Sequence, residues 1–254
     1  MEPVLLFEIA LAASLLFGSA TAGRKMAKLI GGANTEPDKT LRELLDAAYV
    51  TAHRLGHPHA SLEHLLLVAS AMPTVSTVLS THRVSANTLA ASLPAPNLEL
   101  DPRRRLAWEP GLEGLMQQAM RSAQKRGGSH LTIHDVLNEA AARNHRAFEP
   151  FGGALVHFAQ DSELLDGHFV YLWNDHQTPM NHVVEILEGR FGLSTPRAHA
   201  IMYTAHFVGF AAIGPYNHLQ RAEELVEKAT EETYTAGHGL QFSLAPPMEA
   251  RRAA

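Results

Sequence analysis

Histidine is the side chain with the most chemistry to offer in this sequence, and cysteine offers none. Sixteen histidines occur among 254 residues, with no cysteine at all. The lack of thiols removes disulfides, Cys-ligated zinc and thiol nucleophiles, and it fits a reducing cytosol. The densest histidine group is His57, His59 and His64, in a turn and the start of the next helix. A metal site and plain polar turn and cap residues compete there, and ligand spacing favours the plain reading. A second polar run, Asn174-Asp175-His176-Gln177, follows the apolar stretch His168–Trp173. Taken alone it is an ordinary turn. Gly18 to Lys25 nearly spells a phosphate-binding loop, but the lysine comes one place late and no strand leads into it. No nucleophile motif or paired-carboxylate site is found, so the chain reads as a non-enzyme with no catalytic residue, cofactor or resident metal.

The elements that must carry these residues come next. A net charge of −5 with neutral histidines, and no basic run longer than Arg103-Arg104-Arg105, argue against nucleic-acid binding. Residues 4–22 are mostly apolar and long enough to span a bilayer, although Glu8 interrupts them. Arg24, Lys25 and Lys28 follow, so an anchor here would leave the rest of the chain cytosolic. The competing reading starts the protein at Met26. Localisation is therefore read as cytoplasmic, with a tether to the inner membrane through residues 4–22 left open.

The first half repeats itself. A shift of 71 residues lays Leu41, Leu44, Ala48, Ala52, Gly56, His59 and Leu66 over identical residues at Leu112, Leu115, Ala119, Ala123, Gly127, His130 and Leu137. Each copy predicts helix, turn, helix. Leu41, Leu44, Leu45 and Ala48 form a half-buried stripe, Gly56 and Gly127 stop the first helix, and Ser61 and Thr132 cap the second. Two such units make one all-helical domain over 38–150, after an apolar N-terminal helix at 1–25 and a linker at 26–37. The stretch Leu55-Gly-His-Pro-His-Ala-Ser-Leu-Glu-His-Leu-Leu-Leu67 resembles the first repeat of the N-terminal domain of the ClpA and ClpC unfoldases. Leu106-Ala-Trp-Glu-Pro-Gly-Leu112 resembles the start of the second. That resemblance implies a binding domain without catalysis, here lacking the ATPase modules that normally follow it.

A linker at 151–166, marked by Gly152-Gly153, separates a different pattern. His168–Trp173 predicts a strand, Thr178 and Pro179 the cap and first position of a helix, and Ser194 with Pro196 the start of another reaching about His206. Residues 207–213 predict a strand, 219–234 a third helix and 240–244 a last strand. This is a small α+β domain at 167–246, with a tail at 247–254. The fold class is thus mixed, an all-α double repeat followed by α+β.

Trp173-Asn-Asp-His-Gln-Thr-Pro-Met180 is similar to the signature turn of the ClpS adaptors, and Ala198, Met202, His206, Gly214 and His238-Gly-Leu240 keep that family's spacing. The resemblance implies a receptor for destabilising N-terminal residues (N-degrons). It places Asn174, Asp175 and His206 around the substrate α-amino group, and Thr178, Met180, Val183, Met202, Ala205 and Leu240 around its side chain. The implied partners are a ClpA/ClpC-like AAA+ unfoldase and N-degron substrates. Three departures stand out: His176 replaces a usual acid, Ala205 a usual valine, and Leu219 and Glu224 stand where family members contact the unfoldase. Docking of the two fused halves on each other is a further expectation, giving either a rigid receptor or a masked adaptor surface. The alternative function is a non-catalytic Clp regulator that no longer reads N-termini.

Overall fold

The computed structural model describes residues 36–95, 105–151, 157–158 and 167–244. The apolar segment 4–22 and the tail 247–254 lie outside the described residues. Among the described residues no single helix is long and apolar enough to cross a membrane.

In the first half, α1 (Lys39–Arg54) begins where Asp38 Oδ1 accepts the Leu41 N–H at 2.6 Å, and it buries Leu41, Leu44, Leu45 and Ala48 completely. Gly56 ends it in the left-handed region at φ 68°, a conformation that is cheap only without a Cβ. Ser61 then opens α2 (Leu62–Ala69), with its N–H and hydroxyl both against His64 Nδ1 at 3.2 and 2.8 Å. Since His64 Nδ1 accepts, its proton sits on Nε2, 2.7 Å from His57 Nδ1. His57 and His64 are therefore structural partners at a helix start, while His59 points away to solvent.

The second copy repeats this construction. Helix α5 (Leu112–Lys125) ends at Gly127, φ 83°. Thr132 then caps α6 (Ile133–Ala142), its N–H and hydroxyl donating to Asp135 Oδ2 at 2.9 and 2.7 Å. Asp135 occupies the place that His64 holds in the first copy, so the capping box survives a change of acceptor from imidazole to carboxylate. Two short helices that the sequence pattern does not single out, α3 (Pro73–Thr81) and α4 (Ala86–Ser92), follow the first copy.

Four two-residue strands clasp the copies together. Lead-in strand β1 (Glu36–Pro37) pairs in parallel with β4 (His130–Leu131) of the second copy, and lead-in strand β3 (Ala107–Trp108) pairs with β2 (His59–Ala60) of the first. Within the segment expected to be a linker, Phe158 is buried, and its backbone N–H and C=O are both held by the Asn138 side-chain amide at 2.7 and 3.1 Å.

The second half is an antiparallel sheet in the order β6-β5-β7, with helices against it. Its strands are β5 (His168–Trp173), β6 (Phe210–Tyr216) and β7 (Gln241–Ser243), and its helices α7 (Met180–Gly189), α8 (Thr195–Val208) and α9 (Leu219–Thr235). Two boundaries differ from the sequence-based expectation. Thr178 does not cap α7; Pro179 holds the cap position and Thr178 turns back to Asp175. Helix α8 also runs on to Val208, where Gly209 at φ 97° stops it, so β6 begins at Phe210 rather than at 207. A short apolar run suits a buried helix end as well as a strand. Gly214, at φ 134°, lies where a Cβ would come within 3.0 Å of the His168 carbonyl oxygen, beside the register shift in the β5–β6 ladder.

Helix α8 packs on α1, α2 and α4 as well as on α7 and β6, and α3 packs on β6. The apolar interior is continuous from Leu41 in α1 to Phe242 in β7.

Burial, and secondarily the neighbouring His57 ring, push the His64 pKa down to about 3. The folded state thus keeps His64 neutral where an unfolded chain takes up a proton near pH 6.5. Stability is present above that pH and is lost as pH falls below it. Denaturant titrations should show the wild type losing about 2 kcal/mol more than His64→Gln between pH 7 and 5. Equal pH slopes for the two proteins would refute a neutral, buried His64.

Candidate functional site

The polar lip of the site is built by the turn between β5 and α7. As the sheet ends at Trp173, the Asn174 N–H donates to Gly209 O at 3.1 Å, tying the start of the turn to the end of α8. Asp175 then folds the chain over itself. Its Oδ1 accepts the N–H groups of Gln177 and Thr178 at 3.1 and 3.0 Å, and its Oδ2 accepts the Thr178 hydroxyl at 2.6 Å. This is an Asx-type turn, in which the side chain replaces backbone acceptors that the bend cannot supply. Burial alone would raise the Asp175 pKa. The bonds from the Thr178 hydroxyl and from the Thr178 and Gln177 N–H groups outweigh it and hold the carboxyl below its usual range. The carboxylate is therefore ionised at neutral pH, with acceptor capacity left on Oδ2.

Asn174 spends its side-chain amide on one side of the lip. Its Nδ2 donates to His206 O at 3.3 Å and lies 3.1 Å from the His176 ring, which leaves Oδ1 as its acceptor end. His176 sits in the left-handed region at φ 58°, exposed, with its ring 6.1 Å from that of His206 and edge-on to it. His206 is half-buried near the end of α8. Burial first, and the nearby His176 second, lower its pKa, so the ring is neutral at pH 7. A neutral imidazole has one nitrogen able to accept.

Below the lip lies an apolar cup. Met202 and Ala205 come from α8, Met180 and Val183 from the first turns of α7, and Leu240 from the approach to β7. Met202, Ala205, Val183 and Leu240 are each at least nine-tenths buried, so they form a fixed wall, whereas Met180 is partly exposed at the rim. Leu172 and Trp173 of β5 complete the lining of an open cleft of about 500 Å³, mouth included. That division, an apolar interior with a few convergent polar groups, suits a small ligand or a single side chain.

All nine residues expected from the sequence line this one cleft: Asn174, Asp175 and His206 at the lip, and Thr178, Met180, Val183, Met202, Ala205 and Leu240 within it. The structure adds Leu172, Trp173 and His176. For His176 the signal lay in its place next to Asp175; for Leu172 and Trp173 a strand residue facing a cleft is indistinguishable in sequence from one facing the core. Asp175 differs from expectation in one respect, since most of its acceptor capacity maintains the turn. Among the described residues no group of three His, Asp or Glu side chains is placed to hold a metal.

Comparison with known proteins converges on the same segment. Residues 166–243 match the family model described as ATP-dependent Clp protease adaptor protein ClpS. The ClpS adapter of a Ruegeria species is 39% identical over 75 residues, which cover 30% of this chain and 66% of that protein. The ClpS 2 adapter of Mesorhizobium japonicum is 38% identical over 77 residues, 30% of this chain and 75% of that protein. The ClpS adapter of Deinococcus radiodurans is 35% identical over 80 residues, 32% of this chain and 70% of that protein. The helical first half lies outside all of these matches. By its C-terminal domain, with its adaptor rather than enzyme character, the chain belongs to the ClpS family of Clp protease adaptors.

Proposed function

We propose that the protein recognises the N-terminal residue of other proteins when that residue is bulky and hydrophobic, and presents them to an ATP-driven Clp unfoldase of the ClpA/ClpC type. The observation that carries this reading is the convergence of three acceptors, Asn174 Oδ1, the ionised Asp175 and the neutral His206, at the mouth of an apolar cup sized for one side chain. A protein's first residue differs from every internal one by its free ammonium. Each charge-assisted bond to it is worth about 1.5–3 kcal/mol, and burying a Phe or Leu side chain adds roughly 2–3 kcal/mol. Neither contribution alone exceeds about millimolar affinity; together, less the ordering costs, they reach the micromolar range. The methionines Met180 and Met202 suit a cup that must accept Leu, Phe, Tyr and Trp, because a thioether chain repacks easily.

In this reading the helical half, 38–150, acts as a Clp N-terminal domain. The internal repeat and its reciprocal strand pairing support that assignment. The working compartment is the cytoplasm. A regulator that binds Clp unfoldases without reading N-termini is the second reading, favoured by His176 at the lip, where an imidazole stands in place of an acid.

Fluorescence anisotropy of the full chain with labelled peptides separates the two. Peptides beginning with Phe, Tyr, Trp or Leu should bind in the micromolar range, and N-acetylation of the Phe peptide should weaken binding at least about 10-fold. Asn174→Ala and His206→Ala should each cost a similar factor. Equal affinity for free and acetylated Phe would exclude the N-terminal reader and leave the regulator.

The same assay carries a pH signature. Below the lowered His206 pKa, the ring becomes a cation facing the substrate ammonium, and affinity should fall at a pH below the ordinary imidazole range. Above about pH 8 the substrate amine loses its own charge and affinity should fall again. Asp175 stays ionised across this range. In His206→Gln the acid limb should vanish and the alkaline limb persist; an acid limb that survives this substitution would assign it to another group.

A further inference from the structure

Helix α8, which contributes Met202, Ala205 and His206 to the cleft, has no solvent face over its middle. Every residue from Arg197 to Ala205 is buried except the half-buried His199. One side makes the cleft wall and packs on α7; the other lies on α1, α2 and α4. Hydrogen bonds fix that second side, and the strand β6 beside it, to the end of α2, the turn after it and α3. Each of them joins the two halves of the chain. The guanidinium of Arg197, 2% exposed, donates from Nη1 to Leu67 O and from Nη2 to Ser70 O, both at 3.1 Å, and also reaches the Ser70 hydroxyl. The Thr204 hydroxyl donates to Ala200 O at 2.7 Å within α8 and lies 3.2 Å from Val68 O across the junction; the Ala212 N–H donates to Ala71 O at 2.7 Å, and Ser76 Oγ to Gly214 O at 2.9 Å.

The chemistry of these contacts is specific. The last carbonyls of a helix lack intrahelical donors and carry partial negative charge. Arg197 brings a cation and several donors to that point, and its charge persists at neutral pH because burial lowers its pKa only to about 9. Strand β6 is an edge of its sheet, and its outer side is closed by the Ala71 carbonyl and Ser76 rather than left open. A C-terminal domain standing alone would expose the apolar α8 wall, leave Arg197 without its acceptors in the helical half, and bare a strand edge.

We infer that the N-terminal helical half is a working part of the receptor. It holds α8 in register through Arg197, so that Met202, Ala205 and His206 keep their places in the cleft, and it closes the α8–β6 face to any outside partner. Arg197 is a positioning residue: it touches no cleft atom and acts through the helix that does. The coupling to ligand rests on the proposed N-terminal recognition, whereas the junction itself does not.

The test uses the full chain with Arg197→Met, which keeps the bulk and removes every donor, and Arg197→Lys, which restores a charge and part of the bonding. Three quantities are read: affinity for a Phe-initiated peptide, the pH midpoint of the His206 ring by NMR, and hydrogen exchange at α8 and Ala212. In Arg197→Met the affinity should fall about 10-fold and the His206 midpoint should rise towards 6.5 as its burial relaxes. Exchange should quicken at α8 and at the Ala212 N–H, and Arg197→Lys should recover part of each change. A purely global loss of stability would leave the midpoint of the folded molecules where it was. Faster exchange with unchanged affinity and midpoint would overturn the inference, as would no change in any of the three. If Arg197→Met does not fold, Ser76→Ala cuts one junction bond by removing a single oxygen at a buried site; it should raise exchange across β6 and weaken the peptide two- to threefold, and a silent Ser76→Ala would count against the proposal. If the wild type itself ignores the peptide, N-terminal recognition has failed. The junction then stands or falls on exchange and midpoint alone: a shift in both supports it, and an unmoved midpoint overturns it.

Discussion

Taking a guanidinium out of water costs several kcal/mol, and a protein tolerates it only where every donor finds an acceptor and the local field is favourable. Arg197 finds such a place at the carboxyl end of α2, where Nη1 and Nη2 donate to the Leu67 and Ser70 carbonyls and Nη1 also reaches the Ser70 hydroxyl. Much of the architecture follows from that single pairing. It sets the rotation of α8 about its axis, which decides that Met202 and Ala205 face the cleft while Ala200 and Thr204 face the helical half. It also brings the turn after α2 against the free edge of β6, where the Ala212 N–H meets Ala71 O. The continuous core around these polar contacts supplies the bulk of the stabilisation, but apolar packing alone tolerates sliding; the arginine does not.

The cleft divides its work between two kinds of structure. Its inner wall, Val183 on α7, Met202 and Ala205 on α8 and Leu240 before β7, is nine-tenths or more buried, so it is as rigid as the core itself. Its lip belongs to a turn that Asp175 holds from within, through three bonds to Gln177 and Thr178. The Asn174 backbone and side chain are tied separately to Gly209 and His206 at the end of α8. Polar groups that would otherwise wander in solvent are thus anchored at both ends before any ligand arrives, which reduces the ordering cost of binding.

Sequence reasoning reaches a good part of this, and the reasons for its reach and its limits are physical. The 71-residue repeat is legible because a capped helix after a left-handed glycine leaves marks that survive substitution: Gly56 and Gly127, Ser61 and Thr132. The cleft residues are legible only through the resemblance of Trp173–Met180 and Ala198–His206 to the ClpS pattern; taken singly each reads as core or as an ordinary turn. Arg197 is not, because an arginine in the first turn of a helix after Thr-Pro looks like a solvent-facing residue, and only a distant helix end turns it into a buried one. The end of α8 escapes for a related reason. Phe207, Val208 and Phe210 form an apolar run with a glycine inside it, and nothing local says whether that glycine interrupts a strand or terminates a helix. Phe158 shows the same limit, since its anchor, Asn138, lies in a different element.

The reciprocal strand pairing of the helical half has a consequence for how such a unit arises. Each lead-in strand, β1 or β3, finds its partner in the turn of the other copy and not in its own. A chain carrying one copy would have a lead-in and a turn strand that cannot reach each other, and a helix pair with one apolar face uncovered. It could complete itself only by trading strands with a second molecule about a twofold axis. Joining the two copies in one polypeptide turns that exchange into an internal contact, present at any dilution, and frees each copy to diverge. His64 and Asp135 show such divergence, with different side chains answering the same backbone need.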